Sequence, residues 1–225
     1  MQPALRRGLT DEVAGSIRQA IFDGAFQLGE RLNEVDIASG LRVSHGPIRE
    51  ALVQLKQKGL VTGEWHRGAF VVELSQDDFR EIATLRTVLE VFAIRQAAAV
   101  GTEADAAALD AVVAAMSTTG IEQSDFEMTQ LDIQFHDALY RTAHHARVYN
   151  AWSSIRSQVL LSLVTRRAFN NNYYRDRVIE EHSHLAAVIR SRDAEAAETA
   201  IREHLSDTYD RIVGSFDTVE AADRR

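Results

Sequence analysis

The sequence predicts a mainly α-helical protein, with an N-terminal winged helix-turn-helix and small β hairpin followed by a C-terminal antiparallel α-helical bundle. Three observations carry that prediction. Residues 31–58, RLNEVDIASGLRVSHGPIREALVQLKQK, hold two short helical patterns divided by a tight turn. Two short β runs follow, on either side of the segment GEWHRGA. Beyond residue 75 no stretch alternates with period two, and nearly all apolar residues recur at the 3.6-residue period of a helix. Domains are therefore expected at 1–74 and 75–225.

A chain of 225 residues can form one large domain or two modest ones. It has no cysteine, which removes disulfides, thiolate nucleophiles and sulfur metal ligands together. No apolar run approaches the 18 residues a membrane helix needs, and the opening MQPALRRGLTDEV has no signal-peptide core. These features point to a soluble cytoplasmic protein. The net charge of −8 is unevenly placed. Residues 1–73 hold nine basic and nine acidic groups, leaving 16 basic and 24 acidic groups in the remainder. Only the neutral first part suits a polyanionic partner.

The first helix is expected over Leu9, Val13, Ile17, Ala20 and Ile21, with Thr10 as N-cap and Gly24 as its end. Asn33 is expected to cap a second, short helix, with Leu32 stapled onto Ile37, stopping near Gly40. A third begins at Ser44, whose hydroxyl can accept from the Gly46 amide, and Pro47 is harmless in its first turn. Ile48, Ala51, Leu52 and Leu55 share one face at 100° per residue, while Gly46, Glu50, Val53 and Gln57 point away and His45 and Arg49 flank them. A helix so exposed after a tight turn is built to enter a DNA groove. Leu60-Val61-Thr62 and Phe70-Val71-Val72 make the wing, and His66 and Arg67 at its tip can reach phosphate or the minor groove.

The run from Ile17 to Val61, followed by HRGAFV, resembles the winged-helix domain of GntR-family bacterial transcription regulators. PIREAL and RGAFV are the specific segments. The resemblance implies DNA contacts from Arg42, Ser44, His45, Gly46 and Arg49, and from His66, Arg67 and Gly68 on the wing. Two positions depart from the family. His45-Gly46 stands where Arg-Thr is usual, so an operator sequence does not carry over. Arg42 stands where glycine is usual; if the turn needs positive φ there, it stores roughly 1 kcal/mol of strain.

In the second part, helices are expected near 76–100, 103–117, 124–143, 147–169, 173–191 and 194–214, punctuated by Gly101, Gly120, Asn170-Asn171-Asn172 and Asp193. Phe79, Ile82, Leu85, Leu89 and Phe92 form an apolar stripe on the first. Asp132 and His136 share a face of the third. His182 aligns with Val178, Leu185 and Ile189, and His204 with Ala197, Ile201 and Thr208, so both point inward. His184 should face water, and His144-His145 belongs on the surface. Burying three histidines and a carboxylate unpaired is unfavourable, so they satisfy one another or share a cation. Such ligands suit zinc, nickel or manganese.

The pattern D-x-x-x-H, then EH, then His 22 residues on, is similar to the metal-binding set of the FCD domain in the FadR/VanR branch of GntR regulators. The resemblance implies Asp132, His136, His182 and His204 as ligands of a divalent cation. LRTVLE is similar to the branch's first-helix signature and implies that Arg86 meets the carboxylate of a small organic-acid effector. The expected function is a homodimeric transcriptional regulator, in all expectation a repressor, that binds a double-stranded operator and not a membrane. The competing class is a metal-dependent hydrolase or isomerase in the bundle, with Glu90, Glu180 or Glu181 as base. Caps and solvated faces explain those carboxylates more simply, and four protein ligands suit sensing better than catalysis.

Overall fold

The computed structural model describes residues 4–64, 68–118, 125–167 and 173–223. The chain divides into two compact units, Met1–Leu74 and Ser75–Arg225.

The first unit comprises α1 (Ala4–Phe22), β1 (Arg31–Leu32), α2 (Glu34–Leu41), α3 (His45–Gln57), β2 (Val61–Glu64) and β3 (Gly68–Val71). Val13, Ile17 and Ile21 of α1 are buried, as are Ile48, Ala51, Leu52 and Leu55 of α3, so the two apolar faces make the core of the unit. Thr10 is not the expected cap. It lies inside α1, buried, and its hydroxyl donates to Glu50 Oε2 at 2.9 Å. Glu50 thereby faces α1 rather than a DNA groove, and Gln54 does the same through Asp11 at 3.0 Å.

Asn33 caps α2 as expected, its Oδ1 accepting from the Val35 amide at 3.0 Å. Arg42 ends that helix at φ 55°, ψ 41°, so the turn does require the left-handed conformation that glycine would adopt without strain. Ser44 stands at the N-cap of α3 with extended backbone, but its side chain makes no capping bond, contrary to expectation. The wing is more than a hairpin. β1 adds to β3 as a third antiparallel strand, in the order β1-β3-β2, with Arg31 opposite Phe70. Two residues are too short a run to show a period. Gly63 fits the hairpin because a Cβ there would lie 2.0 Å from the Gly68 carbonyl oxygen.

The second unit is a bundle of α4 (Gln76–Val100), α5 (Glu103–Thr118), α6 (Asp125–Thr142), α7 (Ala146–Arg167), α8 (Tyr173–Arg190) and α9 (Ala194–Asp223). Starts and stops follow local chemistry: Ser75 and Asp78 form a reciprocal capping box on α4, and Asp193 accepts from the Glu195 and Ala196 amides before α9. Ile94, Leu109, Met116, Phe135, Leu139, Leu185 and Ile201 are among the side chains filling the core. The α4 stripe is a correction. Leu85 and Phe92 are exposed together with Val88, whereas Phe79, Arg86, Glu90, Ala93, Ile94 and Ala97 face inward. Two charged residues on the inner face had shifted the apparent apolar side. No described helix is long and apolar enough to cross a membrane.

Candidate metal centre and DNA-reading surface

α6, α8 and α9 each bring one imidazole to the middle of the bundle. His136, His182 and His204 are all buried, their ring centroids 5.0–5.4 Å apart, and one ligand nitrogen from each lies within 4.8 Å of the others. Asp132, one turn before His136, adds a buried carboxylate 3.6 Å from His136 Nε2 and 4.0 Å from His182 Nε2. The four side chains singled out by spacing therefore converge.

Two of the rings are oriented by a hydrogen bond at Nδ1 and the third by one at Nε2. His182 Nδ1 donates to the Val178 carbonyl at 2.7 Å, and His204 Nδ1 donates to Glu181 Oε2 at 3.0 Å. A guanidinium has only donors, so the 2.7 Å contact from Arg86 Nη2 makes His136 Nε2 an acceptor. The neutral ring then carries its proton on Nδ1, 3.0 Å from Glu90 Oε2, in a bent contact that falls short of hydrogen-bond alignment. All three tautomers leave Nε2 as the coordinating nitrogen, the arrangement that outer partners impose on metal-binding histidines.

Asp132 Oδ1 and His182 Nε2 are buried with no hydrogen-bond partner. Orphaned polar atoms of this kind are unfavourable unless something outside the chain satisfies them. An acceptor oxygen and an imidazole lone pair in one buried cluster are both met by a cation, so the residues present fit one.

The electrostatics favour the same state. Burial drives the His182 imidazole down to about 3, Asp132 opposing it only in part. Burial also holds His136 below its ordinary value against the opposing pull of Glu90, so both rings are neutral at pH 7. Burial works to raise Asp132 and Glu90, but the surrounding histidines and Arg86 outweigh it and hold both carboxylates below their usual range, Glu90 at about 2.

Glu90 was named as a candidate base and set aside as a cap or solvated carboxylate, and the structure buries it in the centre. It is 0% exposed, and Arg86 Nε donates to its Oε1 at 2.7 Å. Its signal was the i,i+4 spacing from Arg86, which puts both charges on one face. Glu181 was likewise set aside, yet it orients His204 and accepts from Arg177 at 2.7 Å. Glu180 is exposed. Tyr140 is an omission: it stacks on Trp152 at 4.8 Å, and its buried hydroxyl has no partner. His184 is exposed as expected. His144 pairs with Asp105 at 2.8 Å outside the centre, and His145 packs edge-on to Phe92.

In the first unit, Arg42, Ser44, His45 and Arg49 are exposed around the start of α3, and Gly46 is half-buried. Val53, on the same helix, is 57% exposed. Arg49 Nε lies 3.0 Å from Glu34 Oε2, an exposed ion pair between α3 and α2. Arg49, Val53 and Lys56 line a groove whose other wall is Thr62, Gly63, Gly68 and Ala69 of the wing. His66 and Arg67 lie outside the described residues.

A winged helix-turn-helix in one unit and a helical bundle in the other are the architecture of a two-domain DNA-binding regulator. Comparison with known proteins agrees. Residues 9–71 match the family "Bacterial regulatory proteins, gntR family", and residues 81–207 match the FCD domain. An uncharacterised HTH-type transcriptional regulator of Mycobacterium tuberculosis is 30% identical over 191 residues, covering 84% of this chain and 75% of that one. The gluconate operon transcriptional repressor of Bacillus subtilis is 25% identical, over 89% of this chain and 83% of its own. A crystal structure of a GntR regulator from Rhodococcus sp. RHA1 is 28% identical with a TM-score of 0.75, covering 91% of this chain and 97% of that one. The protein belongs to the GntR family of transcriptional regulators and carries an FCD domain. Its relatives are regulators and not enzymes, so the hydrolase or isomerase alternative falls.

Proposed function

We propose that this chain is a homodimeric repressor whose operator affinity is set by a small carboxylate effector at a divalent-cation site. Asp132, His136, His182 and His204 would hold the cation, which is zinc, nickel or manganese on the chemistry of the donors. The observation that carries this reading is the set of three buried imidazoles, each in the tautomer that leaves Nε2 unprotonated. When bound, the cation supplies positive charge and open coordination positions to an organic acid. Arg86 is the residue placed to pair with that acid's carboxylate. On the DNA side, α3 reads the major groove through His45 and Gly46, Arg42 and Arg49 meet phosphate, and the wing adds His66, Arg67 and Gly68. The effector acts by binding two conformations of the protein unequally.

Two further observations support the reading. A relative that represses a gluconate operon is named for a hydroxy acid of the class the site would take. The exposed stripe of Leu85, Val88 and Phe92 on α4 offers a second copy an apolar face. The test is metal analysis of protein purified without chelator, beside operator binding. About one cation per chain is expected, as for a single preformed site. His136→Ala and His182→Ala should lose it while the helical content is retained. Metal-free wild type that binds operator and responds to no added acid would overturn the proposal.

A further inference from the structure

We propose that Arg86 holds the coordinating lone pair of His136 in place of a cation, so that loading the site releases the guanidinium to receive the effector's carboxylate. The proposal rests on the function inferred above and adds an order to it: cation first, acid second.

The geometry makes the competition direct. The ring nitrogen His136 Nε2 has one lone pair, and Arg86 Nη2 donates to it at 2.7 Å. A donor hydrogen and a metal ion cannot share that pair. Arg86 is not free to leave casually, because Glu90 binds it at Nε through 2.7 Å and approaches His136 Nδ1 at 3.0 Å with its other oxygen. The three side chains form a buried cluster in which the guanidinium also offsets the charge of Asp132.

Releasing the lone pair leaves the tie to Glu90 intact. Arg86 then pivots about its Nε and turns its terminal nitrogens away from the histidines. It already lines a crevice between α4, α7 and α9, beside Ala83, Ser162, Leu205 and Thr208. That crevice holds about 30 Å³, space for a water or two and not for an organic acid, so the swing must also widen it. As it stands, Nε of Arg86 is committed to Glu90 and Nη2 to His136; loading the site frees Nη2, so that both terminal nitrogens can meet a carboxylate.

Removing Arg86 alone would strand Glu90, so the test compares Glu90→Gln with Arg86→Met/Glu90→Gln, in which glutamine keeps an acceptor near His136 Nδ1. Zinc is titrated calorimetrically into full-length, chelator-stripped protein, with His182→Ala as the site control. The double variant should bind zinc on the order of tenfold more tightly than Glu90→Gln, the scale of one charge-assisted hydrogen bond. In wild type, one equivalent of zinc should shift the ¹⁵N side-chain Nε–H resonance of Arg86 and the Nε2 resonance of His136 together. Equal or weaker zinc binding by the double variant, or an Arg86 resonance unmoved by zinc, overturns this proposal while leaving the cation site standing if His182→Ala still loses zinc. Zinc binding that is absent from wild type, or unchanged in His182→Ala, overturns both.

Discussion

Burial sets the chemistry of the central histidines, and it does so with a defined pH signature. The His182 imidazole is held near 3 in the folded chain against an ordinary 6.5. Its folded pKa is depressed, so the unfolded chain binds the extra proton between those values. The stability it contributes is fully present above about pH 6.5 and is lost as the pH falls toward 3. His136 shifts in the same direction, and Glu90, lowered from 4.5 to about 2, adds a further loss below pH 4.5. The melting temperature of metal-free protein should therefore fall steadily from pH 6.5 to pH 4, and His182→Phe should flatten that fall. Circular-dichroism melts across the range check it; identical slopes in the two proteins would count against the burial argument. Periodicity could show that these histidines point inward. It could not show Glu90, because a carboxylate on a helix face is ordinarily solvated and only a partner such as Arg86 makes its burial tolerable.

Among the elements, α3 is the helix whose apolar stripe and preceding turn suit it to the DNA reading proposed above. Its inner face was readable because four apolar residues at helical spacing have one place to go. Its outer face was only partly readable: Glu50 and Gln54 are taken by α1, which narrows the groove-facing set to His45, Gly46, Arg49, Val53 and Gln57. Arg49→Ala should weaken binding to every DNA sequence alike and reduce the dependence of log affinity on log salt by about one. His45→Arg should instead change which operator variants are preferred. Fluorescence anisotropy over a salt series, with a panel of duplexes, separates the two; an unchanged salt slope for Arg49→Ala would remove its phosphate role. The α4 stripe was misplaced for a physical reason, since hydrophobicity alone cannot tell a face that meets the core from one left for a partner.

For the whole molecule, the charge division has a consequence. The acidic excess lies beyond residue 73, so affinity for DNA must come from a near-neutral winged helix. A single such head holds few phosphates, and two heads on one operator raise affinity without new contacts. The dimer proposed above, joined through α4, would meet that need. Val88 is 69% exposed and Leu85 47%, more than large apolar side chains on one helix face require for folding alone. Val88→Glu should leave the helical content intact and convert the dimer to monomers by sedimentation, with operator affinity falling by more than tenfold. A variant that stays dimeric would place the interface elsewhere.

The sequence by itself determined the class of protein, the order of its helices, and the four side chains that could share a cation. Those features are local or periodic: caps, turn residues and a 3.6-residue repeat act within a few positions of the chain. Tertiary structure decided what joins them. It seated β1 against β3, turned Thr10 from a cap into a tether for α3, and showed that α4 buries Arg86 and Glu90 while exposing Leu85, Val88 and Phe92. It also placed the Arg86 guanidinium on His136 across 50 residues of sequence. Contacts of that range depend on which faces the folded bundle brings together, and no spacing along one helix encodes the charge that will lie opposite it.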